Sequence, residues 1–155
     1  MKALELTHSQ LIAYENGASM FMFPVKHTIE PAYMETRKRM YCATLIERFA
    51  PIQKGDKFFV QEEWMTGIQD GAFNTKLGWT HKGNLAKIQG TVEDVSVVKV
   101  KDIDFKYVEK IIDKRLDLLK RLQYFVSFYN QQMKEQGINR TYEDNDYIFL
   151  VEFKR

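Results

Sequence analysis

Apolar and polar residues alternate over Lys2–Leu6, which predicts a short strand. Thr7-His8-Ser9-Gln10 follows in the form of a capping box, with Thr7 as N-cap and Gln10 reaching back, so a short helix through Leu11, Ile12 and Tyr14 is expected to stop at Asn16-Gly17. The run Ser19–Lys26 is strand-like and broken by Pro24, which suits an edge or a bulge. Residues Glu35–Phe49, punctuated by Arg37, Lys38, Arg39 and Arg48, fit either a strand or a helix. A Gly55-Asp56 turn then leads into Phe58-Phe59-Val60, where alternation puts Phe58, Val60 and Glu62 on one face and Phe59, Gln61 and Glu63 on the other. One carboxylate is thereby delivered to each side, next to Trp64.

Residues 67–83 are rich in Gly, Asn and Thr and read as a long loop that carries Trp79. Lys87–Val100 gives two β-type runs separated at Gly90, with apolar residues in both parities: Val92 and Val98 in one, Val95 and Val97 in the other. Such a strand is buried on both faces. From Asp104 to Gln136 the apolar positions Val108, Ile112, Leu119, Leu122, Val126, Tyr129 and Met133 recur at helical steps, with Asp104 placed to cap the start and Gly137 the end. A continuous helix of that length would run roughly 50 Å. The pattern therefore predicts two helices, or a stripe that meets a second copy of the chain. Tyr147–Phe153 closes the pattern as a strong strand, with Tyr147, Phe149, Val151 and Phe153 on one face and Asp144-Asn145-Asp146 before it as a polar turn. About six strands with helices inserted between them favour an α+β mixed barrel over a doubly wound sheet.

A chain of 155 residues is expected to form one domain, 1–155, with a helical insertion at about 104–136. With 45% hydrophobic and 28% charged residues it belongs with ordinary globular proteins. The net charge of only +2 means that any nucleic-acid site must come from local clustering. The densest basic cluster is Arg37-Lys38-Arg39, which would track a phosphate backbone or form a solvated face. Cys42 is alone and His8, His27 and His81 are dispersed, so neither a disulfide framework nor a metal site is expected, and no cofactor is implied. No apolar h-region or segment of about 18 apolar residues is present, which points to a cytoplasmic chain that does not enter a membrane. Among single residues, Glu62 and Lys26 are the best candidates for a polar cleft. Trp64, Trp79 and Tyr147 offer stacking faces, although aromatic residues in strands more often belong to a core.

Three blocks in order are similar to ASCH-domain proteins, especially the group common in bacteriophage and prophage genomes. Gly55-Asp56 with Phe58–Trp64 resembles that group's GDxLWVRETW signature, Val100-Lys101-Asp102-Ile103 resembles its LQDI turn, and Asn145–Phe153 resembles its NPWVWVIEF ending. The resemblance implies a PUA-like β-barrel that binds RNA or modified nucleotides; taken with the residues above, it makes single-stranded RNA or a modified nucleotide the expected partner and Ser19, Lys26, Glu62, Trp64, Trp79 and Asn145 the ligand-binding candidates. In some members it implies an amidohydrolase acting on acylated cytidine, or a ribonuclease. Those activities are linked to a Gly-x-Lys-x-x-Thr/Glu-x-Arg motif after the first helix. Aligned on Gly17, this chain has Ser19 for the lysine, Met22 at the Thr/Glu position and Pro24 or Phe23 for the arginine. The arginine of the RETW block is Gln61, while its glutamate persists as Glu62. Loss of both cations removes the groups that would stabilise an oxyanion or phosphate, so binding without robust catalysis is the expectation. Met20-Phe21-Met22-Phe23 would then form an adaptable rim for a host protein, and the 104–136 segment a homodimer contact.

Overall fold

The computed structural model describes residues 1–60, 63–65, 77–79, 88–112 and 117–155. β1 (Lys2–Leu4) leads into α1 (His8–Glu15), β2 (Met20–Pro24), α2 (Pro31–Thr36), α3 (Lys38–Phe49) and β3 (Lys57–Val60). β4 (Glu63–Met65), β5 (Leu77–Trp79) and β6 (Gln89–Lys99) follow. The last elements are α4 (Phe105–Ile111), α5 (Leu118–Glu135) and β7 (Tyr147–Lys154). The fold is α+β. Five strands form one mixed sheet in the order β1-β3-β6-β7-β2, and β4 pairs with β5 in a separate ribbon. Among the described residues only β1 and β3 pair in parallel. Among the described residues the sheet is open, with β1 and β2 as its edges.

The sheet is nevertheless strongly curled. β3 and β2 stand three positions apart, about 14 Å in a flat sheet. Yet the Phe58 ring of β3 and the Phe21 ring of β2 are 6.2 Å apart, and both pack on Phe153 of β7 at 5.6 and 4.4 Å. This aromatic cluster fills the concave face together with Val95, Val97, Phe149 and Val151, closed by Met34 of α2, Leu45 of α3 and Ile52. The other face packs Met20, Met22, Ile148 and Leu150 on Val108, Phe125, Tyr129 and Met133 of α4 and α5. Both faces are thus covered, and β2 is buried along its whole length.

That burial corrects the reading of Met20–Phe23 as an exposed rim. Phe21 and Phe23 enter one core, and Met20 and Met22 the other. The ladder between β2 and β7 also explains Pro24. Val25 N–H donates to Tyr147 O and Phe153 N–H to Ser19 O, so the odd residues of β2 face β7 while Met20, Met22 and Pro24 face the open edge. Proline there removes no ladder bond. The buried Met22 carbonyl is satisfied from outside the sheet by two side chains. Gln10 Nε2 donates to it at 2.9 Å and Gln132 Nε2 at 2.8 Å, and both glutamines are buried. Gln10 meanwhile completes the α1 cap, its Oε1 accepting from Thr7 N–H at 2.9 Å.

Several other readings change. Residues 35–49 are helical, interrupted at Arg37 between α2 and α3. β6 runs through Gly90, which is a point of close approach: a Cβ there would lie 2.8 Å from the Phe58 ring and 2.9 Å from Lys154 O. An irregularity between Val92 and Asp94 shifts the register of β6, so Val92 shares the core of Val95 and Val97 instead of pairing in parity with Val98. Leu77–Trp79 is a strand opposite Glu63–Met65, not loop, and the remainder of 67–83 lies outside the described residues apart from that strand. The helical segment after Asp104 divides as expected, because Ile112 leaves α4 with extended backbone (φ −121°, ψ −177°). Among the described residues no helix is long and apolar enough to cross a membrane.

Three outcomes follow for stability. Gln132→Met is expected to cost about 1 kcal/mol, since Met22 O keeps the Gln10 donor, whereas adding Gln10→Met should exceed the sum of the singles by about 1–2 kcal/mol, because a buried carbonyl is then left bare. Urea unfolding of the four proteins measures this, and strict additivity would contradict it. Gly90→Ala is expected to lose about 1–3 kcal/mol by overpacking against Phe58. Burial pushes the Tyr129 hydroxyl up to about 12. Its contribution to stability is full below the unfolded value near 10 and is lost as pH rises through 12, so Tyr129→Phe should flatten the alkaline fall in melting temperature over that window.

Candidate functional site

The curl brings both sheet edges to one cleft of about 810 Å³, lined by Ala3 and Leu4 of β1 on one side and Phe23 and Pro24 of β2 on the other. Chain segments leaving four elements complete its wall. Glu5 comes from the β1–α1 connection and His8 from the start of α1, Lys26 and His27 from the exit of β2, Phe49 from the end of α3, and Glu135 and Gln136 from the end of α5. His27 lies flat on Phe49, with centroids 4.2 Å apart and planes 13° from parallel. Phe49 remains 43% exposed, so an aromatic surface faces the cleft. Glu135 is partly engaged, accepting from Ser9 N–H and Ser9 Oγ at 3.0 and 2.9 Å, which fixes the first turn of α1 against the end of α5. Gln136 Oε1 is buried without a hydrogen-bond partner among the described residues.

His27 also lines a second depression of about 410 Å³ that continues from the cleft to Lys99, Arg140, Asn145, Asp146 and Tyr147. Arg140 is held in its wall, donating from Nη1 to Val25 O at 2.9 Å with Asp146 Oδ2 at 3.6 Å from Nε. Lys99 Nζ lies 5.5 Å above the Tyr147 ring. The cleft itself sets Glu5 and Glu135 against Lys26, a balance suited to the hydroxyls and amines of a ligand. The adjoining depression sets Lys99 and Arg140 against Asp146 alone, and suits the anionic part.

Of the residues expected from sequence, Lys26, Asn145 and Tyr147 are brought to these two depressions, which share His27. Asn145 also has a local duty: it takes a left-handed conformation (φ 51°) and its Oδ1 accepts from Lys101 N–H at 2.9 Å. Ser19 directly precedes β2 while Lys26 follows its end, about 23 Å away along an extended strand, and the Ser19 backbone bonds to Lys110 and Phe153 instead. Glu62 lies outside the described residues. Trp64 and Trp79 lie on the β4–β5 ribbon, opposite Gly78 and Glu63. Arg37, Lys38 and Arg39 are exposed at the start of α3, about 16 Å along the helix from Phe49, so they do not line the cleft. His8, His27 and Phe49 escape sequence reading because no local spacing links them. A histidine directly after a strand-ending Pro-Val-Lys is the one weak signal.

Elsewhere, the Lys110 amine is held above its ordinary value chiefly by its hydrogen bond to Glu152 Oε1 at 2.7 Å, and burial raises the Cys42 thiol, so neither provides an activated nucleophile. Among the described residues no cluster of three His, Cys, Asp or Glu is placed to hold a metal ion. Comparisons with protein-family models, with curated proteins and with solved structures give no match to the chain.

Proposed function

We propose that the chain is an ASCH-type module of PUA-like fold that binds a nucleotide or single-stranded RNA without robust catalysis, in the cytoplasm and as part of a phage-type gene set. The observation that carries this reading is the cleft at the seam of the curled sheet. An open, curled sheet whose two edges flank one cavity supports the PUA-like reading, because it leaves a seam with room for a base. The His27–Phe49 pair offers a face on which any base can stack, and Glu5 and Glu135 can accept from exocyclic amines and ribose hydroxyls. Lys26, Lys99 and Arg140 then receive phosphate along the continuation of the cleft.

Fluorescence anisotropy with a labelled single-stranded hexaribonucleotide tests the reading. Two or three phosphate contacts should weaken binding by about tenfold between 50 and 200 mM salt. Phe49→Ala should cost about 1–3 kcal/mol of binding through lost stacking, and Lys26→Ala with Lys99→Ala should flatten the salt slope by about one contact each. No binding, or binding indifferent to salt and to all three substitutions, sinks the proposal. Appearance of a cleaved or deacylated product would overturn the statement that catalysis is absent.

A further inference from the structure

β6 is longer than its neighbour on one side. β3 pairs only with Gln89–Thr91, and Val92 is taken by the turn before β3, its N–H donating to Asp56 O at 2.8 Å and its carbonyl accepting from Gly55 N–H at 2.9 Å. Beyond the irregularity at Val92/Asp94 the parity of the strand reverses. Val100 N–H donates to Asp146 O, so the even residues Asp94, Ser96 and Val98 bond to β7, and the backbone groups of Val95, Val97 and Lys99 point away from it. Among the described residues no strand lies against this edge and these three residues have no backbone partner across it. This unpaired ladder spans about 17 Å, the length of an ordinary strand.

α3 runs beside this edge. Lys38, Cys42 and Ile46 recur at steps of four and Arg39 and Ala43 form the next row, and these residues with Val95, Ser96 and Val97 enclose a groove of about 490 Å³. A second hollow of about 560 Å³ continues it along Val97–Lys99 towards Met34, sharing Lys38 and Val97. An open ladder on one wall and a helix with a small apolar stripe on the other is the geometry that accepts an extended peptide as an added strand. Charge selects the occupant. The half beside Val95–Val97 is lined by Lys38 and Arg39 with no carboxylate, while Glu35 and Asp102 lie in the other half with Lys99. Two copies of the chain meeting at this edge would set Lys38 and Arg39 against their own kind, which disfavours self-pairing.

We infer that the edge of β6 over Val95–Lys99, with α3, is a docking groove for an extended acidic segment of a partner protein, which pairs with the strand and sets its carboxylates against Lys38 and Arg39. The groove assigns a role to the basic cluster that the cleft leaves unused.

Amide hydrogen exchange followed by NMR tests the inference, using a capped octapeptide of alternating Val and Glu, its Val/Lys counterpart, and the hexaribonucleotide. The acidic peptide should slow exchange at Val95, Val97 and Lys99 by at least tenfold and leave Ser96 and Val98, already bonded to β7, unchanged. The Val/Lys peptide should bind at least tenfold more weakly. Lys38→Glu with Arg39→Glu, both on the exposed start of α3, should reverse that order. The inference is overturned if the acidic peptide fails to bind or leaves those amides unprotected. It is also overturned if they are protected in the free protein, if protection grows with protein concentration alone, or if the oligonucleotide protects them equally.

Discussion

The carbonyl of Met22 holds the architecture in its present form. It sits at the middle of an edge strand buried on both faces, where an unpaired carbonyl costs about 1–3 kcal/mol and neighbouring strands are the usual remedy. Here the remedy is two glutamine amides, one from α1 and one from α5. They attach both helices to the sheet at the outer edge of β2, where a further strand would otherwise bond. The Phe21–Phe58–Phe153 cluster draws β3 and β2 together across the concave face, and both sheet edges line the cleft. The cleft is what remains between.

How much of this was legible in the sequence depended on whether the signal was local. The Thr7–Gln10 cap and the apolar run of β7 depend on neighbours a few residues away, and the division of 104–136 on the length of its apolar pattern, and all three are legible. The second duty of Gln10 depends on a strand twelve residues on, and nothing in its spacing announces it. Met20–Phe23 misleads because a run without polar residues suggests one sticky face, whereas such a run in a strand is the mark of burial on both. Gly90 was read as punctuation, yet it is there because Phe58 leaves no room for a Cβ. The register shift at Val92/Asp94 moved Val92 to the other face, a change that strict alternation cannot anticipate.

The cleft shows the same limit more strongly. Lys26 is a candidate from its place after a strand and Asn145 from the resemblance, while His8, His27 and Phe49 come from three separate segments that only the fold assembles. The basic cluster at Arg37–Arg39 was legible as charge, but its placement was not: the full length of α3 separates it from the aromatic end of the same helix. One helix therefore serves two surfaces. Its C-terminal end supplies Phe49 to a cleft of balanced charge, and its N-terminal end supplies Lys38 and Arg39 to an apolar groove along a different edge of the sheet.

The central claim is that the seam between β1 and β2 is the ligand site. The most direct measurement is a titration of the isotopically labelled protein with the single-stranded hexaribonucleotide, following backbone and aromatic resonances. The account predicts that Lys26, His27 and Phe49 shift together with Tyr147 and Asn145, with saturation on one curve, while the exposed Leu119 and Tyr124 of α5 stay still. Shifts confined to α5 or to the start of α3, or no shifts at all, would contradict it.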